Sequence, residues 1–215
     1  MVPHAGEAVR YSIGITRVAI IGLGRWGKRL VRAFSACADV RLCCNNSDAA
    51  GHEWVKAQYP GVRVAFGADA ALSDDSIDAV VIATPVAQHA MLVRRALEAR
   101  KHVFVEKPLA TTVHDCRKIE RLVETRPGQV VAVGLEYRFM APTAWLLDTV
   151  RSGELGNVRM MTIIEHRFPF LDKVGAWNRF NDNTGGTFVE KCCHFFDLMY
   201  QVFRTEPIAV LASSA

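Results

Sequence analysis

The sequence predicts an α/β fold, a doubly wound parallel sheet followed by a smaller α+β region, on three observations. Short apolar, β-branched runs alternate with amphipathic helical stretches from residue 16 onward. A glycine-rich turn joins the first of those strands to the first helix. The rhythm then breaks after Gly134. Fully apolar strands separated by single helices belong to a parallel sheet covered on both faces.

The elements follow in order. "TRVAIIG" (16–22) is a strand, Arg25 to Ala36 an amphipathic helix and "DVRLCCN" (39–45) a second strand, which completes a βαβ unit. A helix from Asp48 to Gln58, a short strand "VRVAF" (62–66) and the strand "DAVVIAT" (78–84) come next. Then come a helix from Ala87 to Ala99, the strand "HVFVE" (102–106), a helix from Thr112 to Glu124 and the strand "QVVAVG" (129–134). Residues 12–135 therefore form one domain, and residues 136–215 a second, partial α+β one. In the latter a helix from Thr143 to Ser152 ends at Gly153 and Gly156 and leads into a strand "NVRMMTIIEHRF" (157–168). A polar, aromatic loop, a helix from Phe188 to Phe203 and a strand "PIAVLAS" (207–213) complete the chain.

Bulk composition excludes several classes of partner. The 215 residues are 50% hydrophobic and 22% charged, an ordinary composition with enough chain to bury a core. A net charge of +4 is spread over 26 basic and 22 acidic residues with no basic block, which argues against nucleic acid. Gly24 to Arg29 and Thr84-Pro85 interrupt the apolar runs before either spans a bilayer, so no membrane segment is expected. The first 16 residues lack the pattern of a signal peptide and read as a frayed leader, and the protein is expected to be cytoplasmic. Six cysteines, four in adjacent pairs and none spaced C-x-x-C, are expected to be reduced and mostly buried.

"GLGRWG" places Gly22, Gly24 and Gly27, with Arg25 and Trp26 between them, directly after a strand and at a helix start. In that context the pattern is a dinucleotide fingerprint. The first glycine allows the tight turn, the second lets backbone approach the pyrophosphate, and the third lets helix and strand pack closely. The helix N-terminus adds N–H donors and a partial positive charge. At the end of the second strand, where an acid ordinarily holds the ribose hydroxyls, stands Asn45, with Ser47 and Asp48 close behind. Asn45 does not repel a 2′-phosphate and Ser47 can donate to one, so the expectation is NAD or NADP with a lean to NADP.

"TFVEKCCHFFDLM" (187–199) mixes titratable residues into an apolar run. On a helix, Glu190, His194 and Asp197 fall within roughly 60° of one another, while Cys192, Phe196 and Met199 point to the far side. A zinc site on Cys193, His194 and Asp197 lacks a fourth ligand and any C-x-x-C, so no metal is expected. Cysteines filling a helix face are the commoner reading than a nucleophile.

"VFVEKPLATT" (103–112) ends a strand with Glu106, Lys107 and Pro108 at the sheet's carboxyl edge. Together with the glycine loop, "IATPVAQHA" (82–90) and "SGELGNV" (152–158), it resembles the Gfo/Idh/MocA oxidoreductases, nicotinamide-dependent enzymes acting largely on sugars, inositols and related polyols. The resemblance covers residues 16–213. It implies a Rossmann-type first domain and an open-sheet substrate domain, with hydride transfer between the nicotinamide and a hydroxyl or keto carbon of a polyol. It further implies Lys107 as electrostatic partner of the substrate oxygen, His194 as the acid/base group and Glu190 as a carboxylate near both. Thr84 and Pro85 are implied against the dinucleotide. His89 and Glu106 are placed with the cofactor group, and Arg138, His166, Trp177 and Asp197 with the substrate. Arg167 and Asn178 lie in the same pocket-wall segments. Members commonly carry aspartate where Glu190 stands, and one extra methylene shifts the carboxylate by about an ångström.

Two strands make a marginal sheet under so long a helix. The sequence is accordingly expected to be a truncated product or fragment, or a chain that borrows strands from a homo-oligomer partner. The rival reading is a catalytically silent dinucleotide sensor.

Overall fold

A computed structural model describes residues 15–46, 49–166 and 180–211. Two compact units make up the chain: Met1–Thr84 with Arg95–Val103, and Pro85–Arg94 with Phe104–Ala215.

In the first unit lie β1 (Arg17–Ile21), α1 (Arg25–Ser35), β2 (Asp39–Asn45), α2 (Ala49–Gln58), β3 (Arg63–Phe66), α3 (Asp69–Leu72) and β4 (Ala79–Ile82). β1 pairs in parallel with β2 on one side and β4 on the other, and β2 with β3. β1, β4 and the second half of β2 are apolar and buried because both their faces are covered, whereas β3 is partly exposed at the edge. Ala19, Ile20, Cys43, Cys44, Val80 and Ile82 are fully buried. α1 presents Gly27 and Val31 to the core and its charges to solvent. At the edge, Arg17 grips Asp78 through Nε at 2.8 Å and holds its carboxyl down at about 2. Lys101 buries its ammonium on the carbonyls of Asp74 and Ile77, at 2.8 and 2.9 Å.

The remaining elements are a 3-10 turn (Val86–Gln88), α4 (His89–Glu98), β5 (His102–Glu106), α5 (Val113–Glu124), β6 (Val131–Gly134), a second 3-10 turn (Glu136–Phe139) and α6 (Ala141–Ser152). Thr112 caps α5, its hydroxyl accepting from Asp115 N–H at 3.1 Å. After residues 167–179, α7 (Asn181–Thr184), α8 (Thr187–Glu190) and α9 (Cys193–Phe203) follow. The six strands run in the order β3-β2-β1-β4-β5-β6, the doubly wound order expected of a Rossmann-type sheet.

Three expectations need correction. The helix drawn from Phe188 to Phe203 is broken. A turn at Lys191 and Cys192, with Lys191 at φ −110°, separates α8 from α9. The expected strand at 157–168 does not form over its described part, residues 157–166, and Met160 and Ile164 are exposed. Residues 207–211 are likewise irregular, with Ile208, Val210 and Leu211 exposed. β-branched sequence favours a strand only where a neighbour takes up its backbone groups, and no strand among the described residues pairs with either segment. The N-terminal leader, Ser47, Asp48, Arg167, Trp177 and Asn178 lie outside the described residues.

Candidate active site

The glycine loop is built by backbone. Gly22 turns at φ +103° and donates its N–H to Cys44 O at 2.8 Å. A Cβ on Gly22 would stand 2.5 Å from Ala83 O, and one on Gly27 only 1.9 Å from Gly22 O. Gly24 has open space around it and starts α1 with no side-chain cap and no acid in the first turn. The result is an uncovered helix N-terminus at the switch point between β1 and β4, where an anion is stabilised. A dinucleotide pyrophosphate fits this cradle. Arg25 and Trp26 are exposed at its lip, and Trp26 is covered by Arg29 with 4.9 Å between guanidinium carbon and ring centre. Thr84 borders the loop, its N–H 3.0 Å from where a Gly22 Cβ would be. Asn45 ends β2 half-buried, its Oδ1 accepting from Asn46 N–H at 3.0 Å.

The candidate acid/base cluster is built by side chains rather than by backbone. β5 delivers Glu106 and Lys107. Glu106 is buried, and its Oε2 accepts from Lys107 N–H at 3.3 Å. His89, 1% exposed at the start of α4, places Nδ1 2.8 Å from Pro108 O, so it braces the loop from within. Pro85, just before it, is exposed. Lys107 Nζ donates to Glu190 O at 2.8 Å, across 83 positions of sequence. The break between α8 and α9 turns that carbonyl toward the ammonium. Upstream, Gly185 at φ +74° fixes the entry to α8, where a Cβ would meet Val189 at 2.9 Å and Thr111 O at 3.0 Å.

Glu190 is 6% exposed and its carboxylate lies 3.6 Å from Lys191 Nζ. His194 is 4% exposed. Its ring stacks on Tyr137 at 4.1 Å and 10°, and its Nε2 stands 3.7 Å from Glu136 Oε2. Tyr137 is tied in turn to Glu165, its hydroxyl donating at 3.1 Å. His194 thus faces inward on the same stripe as the buried Leu198 and Val202, while Phe196 and Tyr200 face solvent.

Lys107 and Glu190 are joined by that bond, and His194 follows four positions after Glu190, buried at the start of α9. Arg138 and Asp197, expected against substrate, are instead committed to each other in a two-pronged ion pair that ties the second 3-10 turn to α9. Hydrogen bonding to the carboxylate pushes the Arg138 guanidinium further up. His166 is exposed on the irregular segment before residue 167. Cys193 places Sγ 3.7 Å from Glu190 O, and burial pushes its thiol up, as burial pushes Cys43 and Cys44 up to about 12. No three metal-ligating side chains converge among the described residues, and no helix there is long and apolar enough to cross a membrane. Sequence reasoning passed over Glu136 and Tyr137. The spacing offered no signal, since both lie on a 3-10 turn rather than on a periodic element.

Residues 16–135 match the oxidoreductase family described as having an NAD-binding Rossmann fold, and residues 148–215 match its C-terminal alpha/beta domain. The chain belongs to the Gfo/Idh/MocA oxidoreductase family. It is 32% identical over 200 residues to an inositol 2-dehydrogenase of Rhizobium meliloti, covering 93% of this chain and 58% of that protein. To the inositol 2-dehydrogenase of Acidothermus cellulolyticus it is 31% identical, over 88% of this chain and 54% of that one. A crystal structure from Sinorhizobium meliloti, provisionally named a myo-inositol dehydrogenase, superposes with a TM-score of 0.78 at 30% identity, over 89% of this chain and 56% of that one. The chain therefore spans a little over half the length of the curated relatives it matches.

Proposed function

We propose that the protein is a nicotinamide-dependent oxidoreductase of the CH–OH group of a cyclic polyol, an inositol or a close relative. The observation that carries this reading is the bond from Lys107 Nζ to Glu190 O. It joins the signature strand end to the turn before His194. Inositol dehydrogenases among the relatives support the substrate class, and the family's description supports NAD as the cofactor.

When bound, the nicotinamide supplies the hydride acceptor or donor. The rest falls to this chain. Lys107, fixed by one of its three donors, presents its charge to the substrate oxygen and stabilises the developing alkoxide. His194 takes the hydroxyl proton during oxidation and returns it during reduction. Glu190, enclosed near both, holds neighbouring hydroxyls. Gly22, Gly24 and Gly27 cradle the pyrophosphate, with Arg25, Trp26, Thr84 and Asn45 around it. Residues 12–135 serve as the cofactor domain and 136–215 as the substrate-binding part. Arg138 and Asp197 shape that part through their mutual pair.

The test mixes the purified protein with NAD or NADP in parallel and a panel of inositols and sugars, following absorbance of the reduced cofactor. Turnover with a cyclic polyol is the expected result, and the preferred dinucleotide is read from the same assay. Cofactor binding without turnover of any polyol or sugar would sink the reading in favour of a silent sensor.

A further inference from the structure

Resting on the reading of His194 as the acid/base group, we propose that Glu136 is its proton outlet, a positioning and relay residue that carries the substrate's proton to solvent. Oxidation of one alcohol sends a hydride to the nicotinamide and leaves one proton behind. The hydroxyl O–H bond breaks as an N–H bond forms on the imidazole, and that proton then has to reach water. His194 is 4% exposed, so it does not reach water directly. Glu136 spans the gap. Its Oε2 is buried, accepts no hydrogen bond among the described residues and stands 3.7 Å from His194 Nε2, while the side chain as a whole is 41% exposed. The same side chain thus has a buried oxygen beside the imidazole and a surface that meets solvent.

The distance is about 0.8 Å longer than an N–H···O hydrogen bond, which a small rotation of the glutamate closes. Once Nε2 carries the proton, the charges on the two groups draw them together. The Nε2–H bond then breaks as an O–H bond forms on Glu136, and the carboxyl loses that proton to water. Reduction runs the same route inward. Tyr137, stacked on the imidazole and held by Glu165, keeps Nε2 presented to Glu136.

The other charged groups around the ring are engaged elsewhere. Asp197 pairs with Arg138, Glu190 lies beside Lys191, and Lys107 is on the Glu190 carbonyl. Cys193 stays protonated because burial raises its thiol.

The experiment measures turnover of the polyol that the protein oxidises, for wild type, Glu136→Gln and Glu136→Asp, with and without added imidazole or formate. The glutamine variant is expected to lose turnover on the order of tenfold, with KM held within about twofold. Added buffer is expected to restore it in proportion to concentration, because small acids and bases from solution replace the carboxylate. The aspartate variant, one methylene short, is expected to lose a few-fold with the same rescue, and it decides the matter if the glutamine variant does not fold. Unchanged turnover in both variants, or a loss that buffer does not move, would overturn the relay alone. No turnover by the wild type would overturn the underlying reading and the relay with it.

Discussion

The phosphate loop and the histidine cluster achieve their geometry by opposite means. Around Gly22, Gly24 and Gly27 nearly everything is backbone: a turn at positive φ, a carbonyl 1.9 Å from an absent Cβ, and a helix left uncapped. Around His194 nearly everything is side chain: an ammonium on a distant carbonyl, a stacked phenol, a facing carboxylate and a half-buried ion pair. A backbone site tolerates no added atom, and a side-chain site tolerates no removed one. The two regions therefore fail in different ways and in different assays.

The largest effect is expected at the side-chain site. His194→Gln removes the proposed proton acceptor while keeping a polar side chain, and turnover is expected to fall about 10²–10⁴-fold in the absorbance assay. Dinucleotide affinity by calorimetry is expected to change less than about twofold. At the backbone site, Gly27→Ala forces a methyl group against Gly22 O and is expected to cost about 1–3 kcal/mol in cofactor affinity or folding stability. Dinucleotide titration together with urea unfolding reads that cost. A Gly27→Ala protein with wild-type affinity and stability would break the comparison.

Arg138→Ala sharpens it further. The variant strands a nearly buried Asp197 carboxylate, but Arg138 is 37% exposed, so solvent screening cuts the fully buried cost to about 1–2 kcal/mol by urea unfolding. The smallest effect is at the sheet edge. Arg17 holds Asp78 at about 2 in the folded state, below its unfolded value. Its stabilisation is therefore present above about pH 4 and is lost as pH falls toward 2. Asp78→Asn is expected to cost no more than about 1 kcal/mol near neutral pH, with the two proteins converging on acidification.

The same contrast explains what the sequence disclosed. The phosphate loop was legible because backbone constraint writes itself as glycine at fixed spacing, and β1 and β4 at the centre of the sheet were legible because burial on both faces leaves apolar runs. Lys107 and His194 were found through their motifs. The bond from Lys107 to the Glu190 carbonyl was not, since it depends on a helix break at Lys191 that no proline or glycine announces. Glu136 and Tyr137 went unseen because partnership across 57 or 58 positions has no local signature. Arg138 and Asp197 were assigned to substrate because each alone is a polar group in a pocket-wall segment, and only coordinates reveal that they hold each other. The segments at 157–166 and 207–211 have strand composition without a paired strand among the described residues.

Lys107 is proposed to act on the substrate oxygen and not in holding the cofactor. Lys107→Met tests it most directly, with dinucleotide affinity and polyol turnover measured on the same preparation. The prediction is affinity within about twofold of wild type and turnover lowered at least about 100-fold. Turnover left intact, or lost only in step with affinity, would contradict it.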